Sequence, residues 1–196
     1  LSQTGRYGQI RSIPWVASFT NGEYVADVNT LGLWHFNNDN YRDDSGNGND
    51  WVVETLGGGL SFSTVGPKFG SHSLANDGTT FRLQVTDMGT ATDAGTIDFW
   101  LLTNSTTGFK SFFANTTAAN PPVHIFYDTA GTRWRMRRDG VDTLLVTDSI
   151  TLGVWSHYEF SWDEAAAGGT FRVFKNGALI GSTTGTGAIG VANTDD

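Results

Sequence analysis

Glycine-bearing turn signals interrupt this chain at short intervals, and that punctuation limits the possible folds more than any other feature. Asn47-Gly48, Gly57-Gly58-Gly59, Asp77-Gly78, Asp139-Gly140 and Asn176-Gly177 supply the positive φ that tight turns need. Between them lie short runs rich in β-formers: residues 31–36, 51–55, 60–64, 81–85, 96–103, 109–114, 123–127, 133–137, 144–147, 155–162, 171–175 and 178–182. Around Asn176-Gly177, Phe171-Arg172-Val173-Phe174-Lys175 followed by Ala178-Leu179-Ile180 predicts a hairpin with a type I′ turn. The only helical candidate, residues 164–167, stands beside Gly168-Gly169 and reads as a loop. Strands in such number, with no helix between them, predict an all-β antiparallel sandwich.

Composition narrows the function classes. Seven Trp, thirteen Phe and five Tyr give a chain of 196 residues enough apolar area for one compact domain and argue against disorder. The absence of cysteine removes disulfide scaffolds, thiol nucleophiles, Cys-ligated zinc and iron–sulfur clusters. Twelve Lys+Arg against 20 Asp+Glu leave a net charge of −8, which argues against a nucleic-acid partner and makes an acidic glycan a poor bulk partner. No apolar run approaches the roughly 18 residues of a membrane span, so membrane insertion is not expected. The chain opens on Leu1 without the basic and apolar regions of a secretion signal, and it stops at Asp195-Asp196 after a glycine-rich stretch. A processed product or a fragment of a longer polypeptide is therefore expected.

Alternation assigns the faces. Ile97, Phe99 and Leu101 fall on one side of their strand and Asp98, Trp100 and Leu102 on the other, so that strand needs cover on both. In residues 155–162, Ser156, Tyr158, Phe160 and Trp162 share one face, and Trp155, His157, Glu159 and Ser161 the other. Residues 1–30 fit less clearly and read as an N-terminal arm or edge strands, with Pro14 limiting pairing. Residues 15–28 are expected to add at least one strand to the sandwich.

An ordered series of landmarks runs through the rest: Leu31-Gly32-Leu33-Trp34-His35-Phe36, Asp43-Asp44-Ser45-Gly46-Asn47-Gly48-Asn49, Lys68-Phe69-Gly70-Ser71-His72-Ser73-Leu74, Asp77-Gly78, Thr96-Ile97-Asp98-Phe99-Trp100, Gly153-Val154-Trp155-Ser156-His157, and Phe171 through Gly177. This series resembles the concanavalin A-like lectin/glucanase superfamily, and within it a laminin G-like (LamG) jelly roll. The resemblance implies a β-sandwich over residues 31–196. The family's closing strands have no counterpart after Gly181, where Thr, Gly and Ala dominate. Either those strands are missing, or residues 1–30 or a neighbouring subunit complete the sheet.

The resemblance also sets the chemistry to be tested. Glucanases of this fold carry the pattern Glu-x-Asp-x-x-Glu on one strand. Here the two glutamate positions fall on non-ionisable residues and Asp98 stands alone, whereas retaining hydrolysis needs two carboxyl groups about 5 Å apart. His35, His72, His124 and His157 are scattered without a zinc-binding spacing, and no Gly-x-Ser-x-Gly elbow or phosphate loop occurs. A Ser-His-Asp triad assembled in space is left open. LamG modules often hold calcium at the rim, and Asp43, Asp44, Asn47 and Asn49, within a run that also includes Asp39 and Asp50, place hard oxygen donors in a glycine-containing loop. Such residues also favour turns by bonding to their own backbone. Arg133, Arg135 and Arg137 share one face of a strand whose other face is Trp134 and Met136. That stripe suits a sulfated or carboxylated glycan or an acidic protein patch, or it pairs with Asp128, Asp139 and Asp142. Asn104-Ser105-Thr106 and Asn115-Thr116-Thr117 match the N-glycosylation pattern, which chance explains in a chain this rich in Asn and Thr.

The expectation is a non-catalytic module, extracellular or on a virion, that binds a glycan or cell-surface protein through loops at residues 37–49, 104–108, 115–122 and 128–131. The first alternative is a structural domain of a phage or viral particle that packs against copies of itself or other virion proteins. A glycoside hydrolase comes third.

Overall fold

The computed structural model describes residues 9–11, 18–20, 23–37, 39–54, 59–76, 82–85, 94–105, 110–114, 124–128, 130–138, 141–163 and 169–184. Among these residues all regular structure is β-strand, sixteen strands with no helix, and every pairing is antiparallel. The all-β antiparallel class read from the turn spacing is what the chain adopts. Two compact units form, one from Leu1–Thr90 with Thr96–Trp100 and the other from Ala91–Gly95 with Leu101–Asp196.

The first unit holds β1 (Gln9–Arg11), β2 (Ser18–Thr20), β3 (Glu23–Val25), β4 (Thr30–Leu33), β5 (Trp51–Glu54), β6 (Leu60–Ser63), β7 (Ser73–Asn76), β8 (Arg82–Val85) and the middle of β9 (Ala94–Leu101). β1 lies between β4 and β9, with Ile10 opposite both Gly32 and Ile97. β5 pairs with β8, β6 with β7, and β2 with β3. Tyr24, Leu33, Trp34 and Ile97 are buried. Thr96, Ile97 and Asp98 are buried in succession, so β9 is covered on both faces as its alternation requires.

Residues 15–28, expected to add at least one strand, supply two, β2 and β3. Among the described residues β2 and β3 pair with each other, and the N-terminal strand that joins the six-stranded sheet is β1, further upstream. Thr20 pairs with Glu23 at one end of the β2–β3 ladder.

The second unit builds β10 (Lys110–Ala114), β11 (His124–Asp128), β12 (Arg133–Arg138) and β13 (Val141–Thr147) into one sheet in chain order. β14 (Ser156–Asp163), β15 (Thr170–Lys175) and β16 (Ala178–Thr184) pair in succession. Trp134 joins the two layers, its ring 4.6 Å from Tyr158 and 5.2 Å from Phe160, with Tyr127 at 5.2 Å on its own sheet. Each such side chain contributes about 2–3 kcal/mol by leaving water. The predicted hairpin is present, since Lys175 pairs with Ala178 and both Asn176 (φ 50°) and Gly177 (φ 81°) take the left-handed conformation of a type I′ turn. Asn176 also ties the hairpin to β14 by donating its N–H to the His157 carbonyl and accepting the His157 N–H, each at 2.9 Å. Residues 164–167 lie outside the described residues.

Candidate functional site

The Asp- and Asn-rich loop after β4 is organised by one carboxylate. Asp43 is 3% exposed. Its Oδ1 accepts the N–H groups of Leu33 at 2.9 Å and Ser45 at 2.8 Å, and its Oδ2 accepts the Ser45 hydroxyl at 2.7 Å and the Asn49 N–H at 3.0 Å. Burial alone would raise the Asp43 carboxyl, yet the Ser45 hydroxyl and the three backbone amides hold it below the ordinary carboxylate range. Asn47 Nδ2 donates to the carbonyls of Thr30 and Leu31, Asn49 Nδ2 donates to Leu31, and Asp44 N–H donates to Leu33. Among the described strands β4 ends its sheet, with β1 on one side. The loop closes the other side, supplying by side chains much of what a further strand would supply by backbone.

That bonding decides how the loop suits calcium. The cation needs six to eight oxygens turned toward one point. Here the Asp43 oxygens each accept two protein hydrogens, Asp44 Oδ2 accepts the His35 N–H at 3.3 Å and lies 3.0 Å from His35 Nδ1, and both asparagines aim their nitrogens at carbonyls. Asp43, Asp44, Asn47 and Asn49 are brought together in a hydrogen-bonded edge cap, in which both Asp43 oxygens and both asparagine nitrogens are engaged by the protein itself.

Asp98 on β9 is 2% exposed, and the Tyr24 hydroxyl lies 3.5 Å from its Oδ2. Thr96 and Leu101 occupy the glutamate positions, so this strand presents no pair of carboxylates. A serine, a histidine and an aspartate do touch in series elsewhere: Ser71 Oγ lies 2.8 Å from His72 Nδ1, and His72 Nε2 lies 2.9 Å from Asp39 Oδ1. The series lacks what acyl transfer needs. Ser71 donates its hydroxyl to the Asn37 carbonyl and its N–H to Asn37 Oδ1, which removes both the nucleophile's proton and the nearest oxyanion donor.

The arginine stripe lies on β12 beside β11, with Arg133, Arg135 and Arg137 opposite Asp128, Phe126 and His124. Arg133 donates from Nε and Nη2 to Asp128 Oδ2 at 3.2 and 3.1 Å, and Arg135 Nη1 lies 3.6 Å from the same oxygen. Burial would raise the Asp128 carboxyl, but the Gly131 backbone and Arg133 hold it below its ordinary value. The Arg135 and Arg137 guanidinium groups stand over the Phe126 ring at 5.2 and 5.0 Å. The three arginines therefore form one charged ladder, partly neutralised by the acid the sequence suggested. Of the four loops expected to bind, residues 37–49 are described except residue 38, and 115–122 lie wholly outside the described residues.

A laminin G-type family model, described as the concanavalin A-like lectin/glucanases superfamily, matches residues 76–196, more than half of the chain. The chain belongs to this superfamily. Comparison with curated proteins and with solved structures gives no match. Asp98 and the arginine ladder of this laminin G-like chain fall inside the matched span, and the β4 edge cap precedes it. Membership supports a carbohydrate- or surface-binding module in general. Laminin G-like domains are usually non-catalytic and typically extracellular, although the superfamily includes glycosidases. No helix among the described residues is long and apolar enough to cross a membrane.

Two arrangements had no reading in the sequence. Lys175 Nζ lies 2.8 and 3.0 Å from the Asp148 oxygens, and Asp148 Oδ2 also accepts the Tyr158 hydroxyl at 2.8 Å. The other is a group of aromatics around Phe36, whose members come from separate strands and loops.

Proposed function

We propose that this chain is a non-catalytic recognition module, displayed outside a cell or on a virion, that binds a glycan or protein of another surface. The observation that carries the reading is Asp98: the one acid at the position of the glucanase motif is buried, and its glutamate partners are replaced by Thr96 and Leu101. Superfamily membership supports a carbohydrate- or surface-binding module in general, and the missing glutamates favour binding over hydrolysis. A glycan array spanning neutral and anionic structures, run beside a cell-binding assay and a β-glucan turnover assay, tests it. Binding without turnover is the expected result, and β-glucan turnover, whether or not Asp98→Asn abolishes it, would remove the non-catalytic reading. The alternative, a structural part of a viral particle, draws on Leu145, Leu152, Val154 and Leu179, which are 49 to 54% exposed in the second unit. Light scattering after size exclusion separates the two, because a structural part assembles with itself and a recognition module does not need to.

A further inference from the structure

Phe36 holds a backbone conformation that bulky residues avoid, with φ at 61°. Its neighbours impose it from both sides. His35 is held with Nδ1 3.0 Å from Asp44 Oδ2 and Nε2 3.0 Å from the Tyr24 carbonyl. Asn37 accepts the Ser71 hydroxyl and N–H and donates its own amide to Glu23 Oε1 at 2.9 Å. Gly70, at φ 58°, leaves room for this, since a Cβ there would fall on the Asn37 side chain. Strain fixed this firmly tends to gather at functional sites, where it places a group that an unstrained chain would not.

What it places is a ring. Phe36 lies 5.7 Å from Trp51 and 6.4 Å from Phe62, and Tyr41 lies 4.8 Å from Phe62. The Trp51 N–H donates to the Tyr41 carbonyl at 2.8 Å, and buried Trp34 backs Trp51 at 4.8 Å. Phe36, Tyr41, Trp51 and Phe62 are all half-buried, unlike Trp134 and Phe160, which fill a core. Their chain neighbours Asn40 and Asp50 are exposed.

We infer that Phe36, Tyr41, Trp51 and Phe62, tilted 43 to 61° to one another, form a faceted platform on which a single ring face stacks a neutral, equatorially substituted pyranose of an oligosaccharide. This rests on the recognition reading above and names the ligand class. Such a sugar turns a patch of weakly positive C–H groups to one face, which matches the negative face of an aromatic ring. Asp50 Oδ1 accepts the Asp43 N–H at 2.8 Å and Asn40 Oδ1 the Arg42 N–H at 3.0 Å, which fixes both side chains and leaves Asp50 Oδ2 and the second lone pair of Asn40 Oδ1 as acceptors for the sugar's rim hydroxyls. Exposed acids here and a net charge of −8 disfavour sulfated or uronic sugars at this platform.

Isothermal titration with cellohexaose, and with a heparin hexasaccharide as the anionic probe, tests the platform. Wild type is expected to bind cellohexaose with a change in tryptophan emission. Phe36→Gly accepts the left-handed backbone while deleting the ring, so the protein should stay folded by circular dichroism and bind roughly tenfold or more weakly. Trp51→Leu should lose as much, and Trp51→Phe should keep most of the affinity. Cellohexaose binding unchanged in Phe36→Gly and Trp51→Leu overturns the platform and leaves the recognition reading standing. So does a wild type that binds heparin or cells but not cellohexaose. A wild type that binds no glycan and no cell surface overturns both.

Discussion

Replacing Asp43 with alanine removes a carboxylate that accepts hydrogen bonds from Leu33 N, Ser45 N, Ser45 Oγ and Asn49 N at 2.9, 2.8, 2.7 and 3.0 Å. Ser45 and Asn49 are half-buried, so water can replace much of what they lose. Leu33 is 1% exposed, and its stranded N–H costs about 1–3 kcal/mol. Losing the charge-assisted bonds that order the loop brings the expected total to about 3 kcal/mol. At roughly 2–4 °C per kcal/mol for a chain of this size, Tm should fall by about 6–12 °C. Asp43→Asn keeps an oxygen for Leu33 but turns an amide toward the Asn49 N–H, and should cost about half as much. The sign with pH follows from the lowered carboxyl. Its contribution is present above the unfolded value of about 3.9 and is lost as pH falls through the lower folded value, so wild type and Asp43→Asn converge below about pH 4. Circular dichroism melts at neutral and acid pH, with and without calcium, read all of this. An Asp43→Ala protein melting within about 1 °C of wild type would refute the reasoning, as would a wild-type Tm that rises by several degrees in calcium while Asp43→Ala does not respond.

Gly70→Ala should cost about 2 kcal/mol or more in urea unfolding, because the new Cβ meets Asn37 at a φ of 58°. Lys175→Met leaves the Asp148 carboxylate, whose side chain is 13% exposed, without its cation, and should lower stability by about 2–3 kcal/mol in the same assay. Burial, then the hydrogen bond and charge of Asp148, push the Tyr158 phenol up, and burial does the same for Tyr127. An alkaline absorbance titration should therefore leave at least two of the five tyrosines un-ionised until the chain unfolds, with stability declining above the unfolded tyrosine value of about pH 10.

What could be read from the sequence was local. The hairpin at Asn176-Gly177 needs only its own residues to fix turn and register, and the alternation in β14 places Tyr158, Phe160 and Trp162 in the core without reference to any partner. β1 has no such signal. Three residues, Gln9, Ile10 and Arg11, become a strand because β4 and β9 offer them two edges, and those edges are remote in sequence. The same distinction runs through the candidate sites. Asp128 could be named as a partner of Arg133 because the two flank one short turn between paired strands. Asp43 and Asn49 read as cation ligands in the sequence, where composition is the same for a cation loop and for an edge cap, and their part in the cap was not legible there. Only the positions of Leu33 N and Leu31 O, 10 and 18 residues back along the chain, distinguish them.

The edge cap and the strained phenylalanine are joined through one residue. Asp44 closes β4 by donating its N–H to Leu33 O, and its carboxylate holds His35, the residue before Phe36. An edge strand left open invites pairing with another chain, and a bulky residue left unrestrained returns to negative φ. A single loop prevents both. Had the loop been built around an ion, releasing the ion would open the strand edge and free the ring together. Here the donors to Asp43 are the protein's own amides and hydroxyl, and they bond best to its ionised form. Presentation of the Phe36 ring is thus tied, through Asp44 and His35, to the same loop that closes the β4 edge.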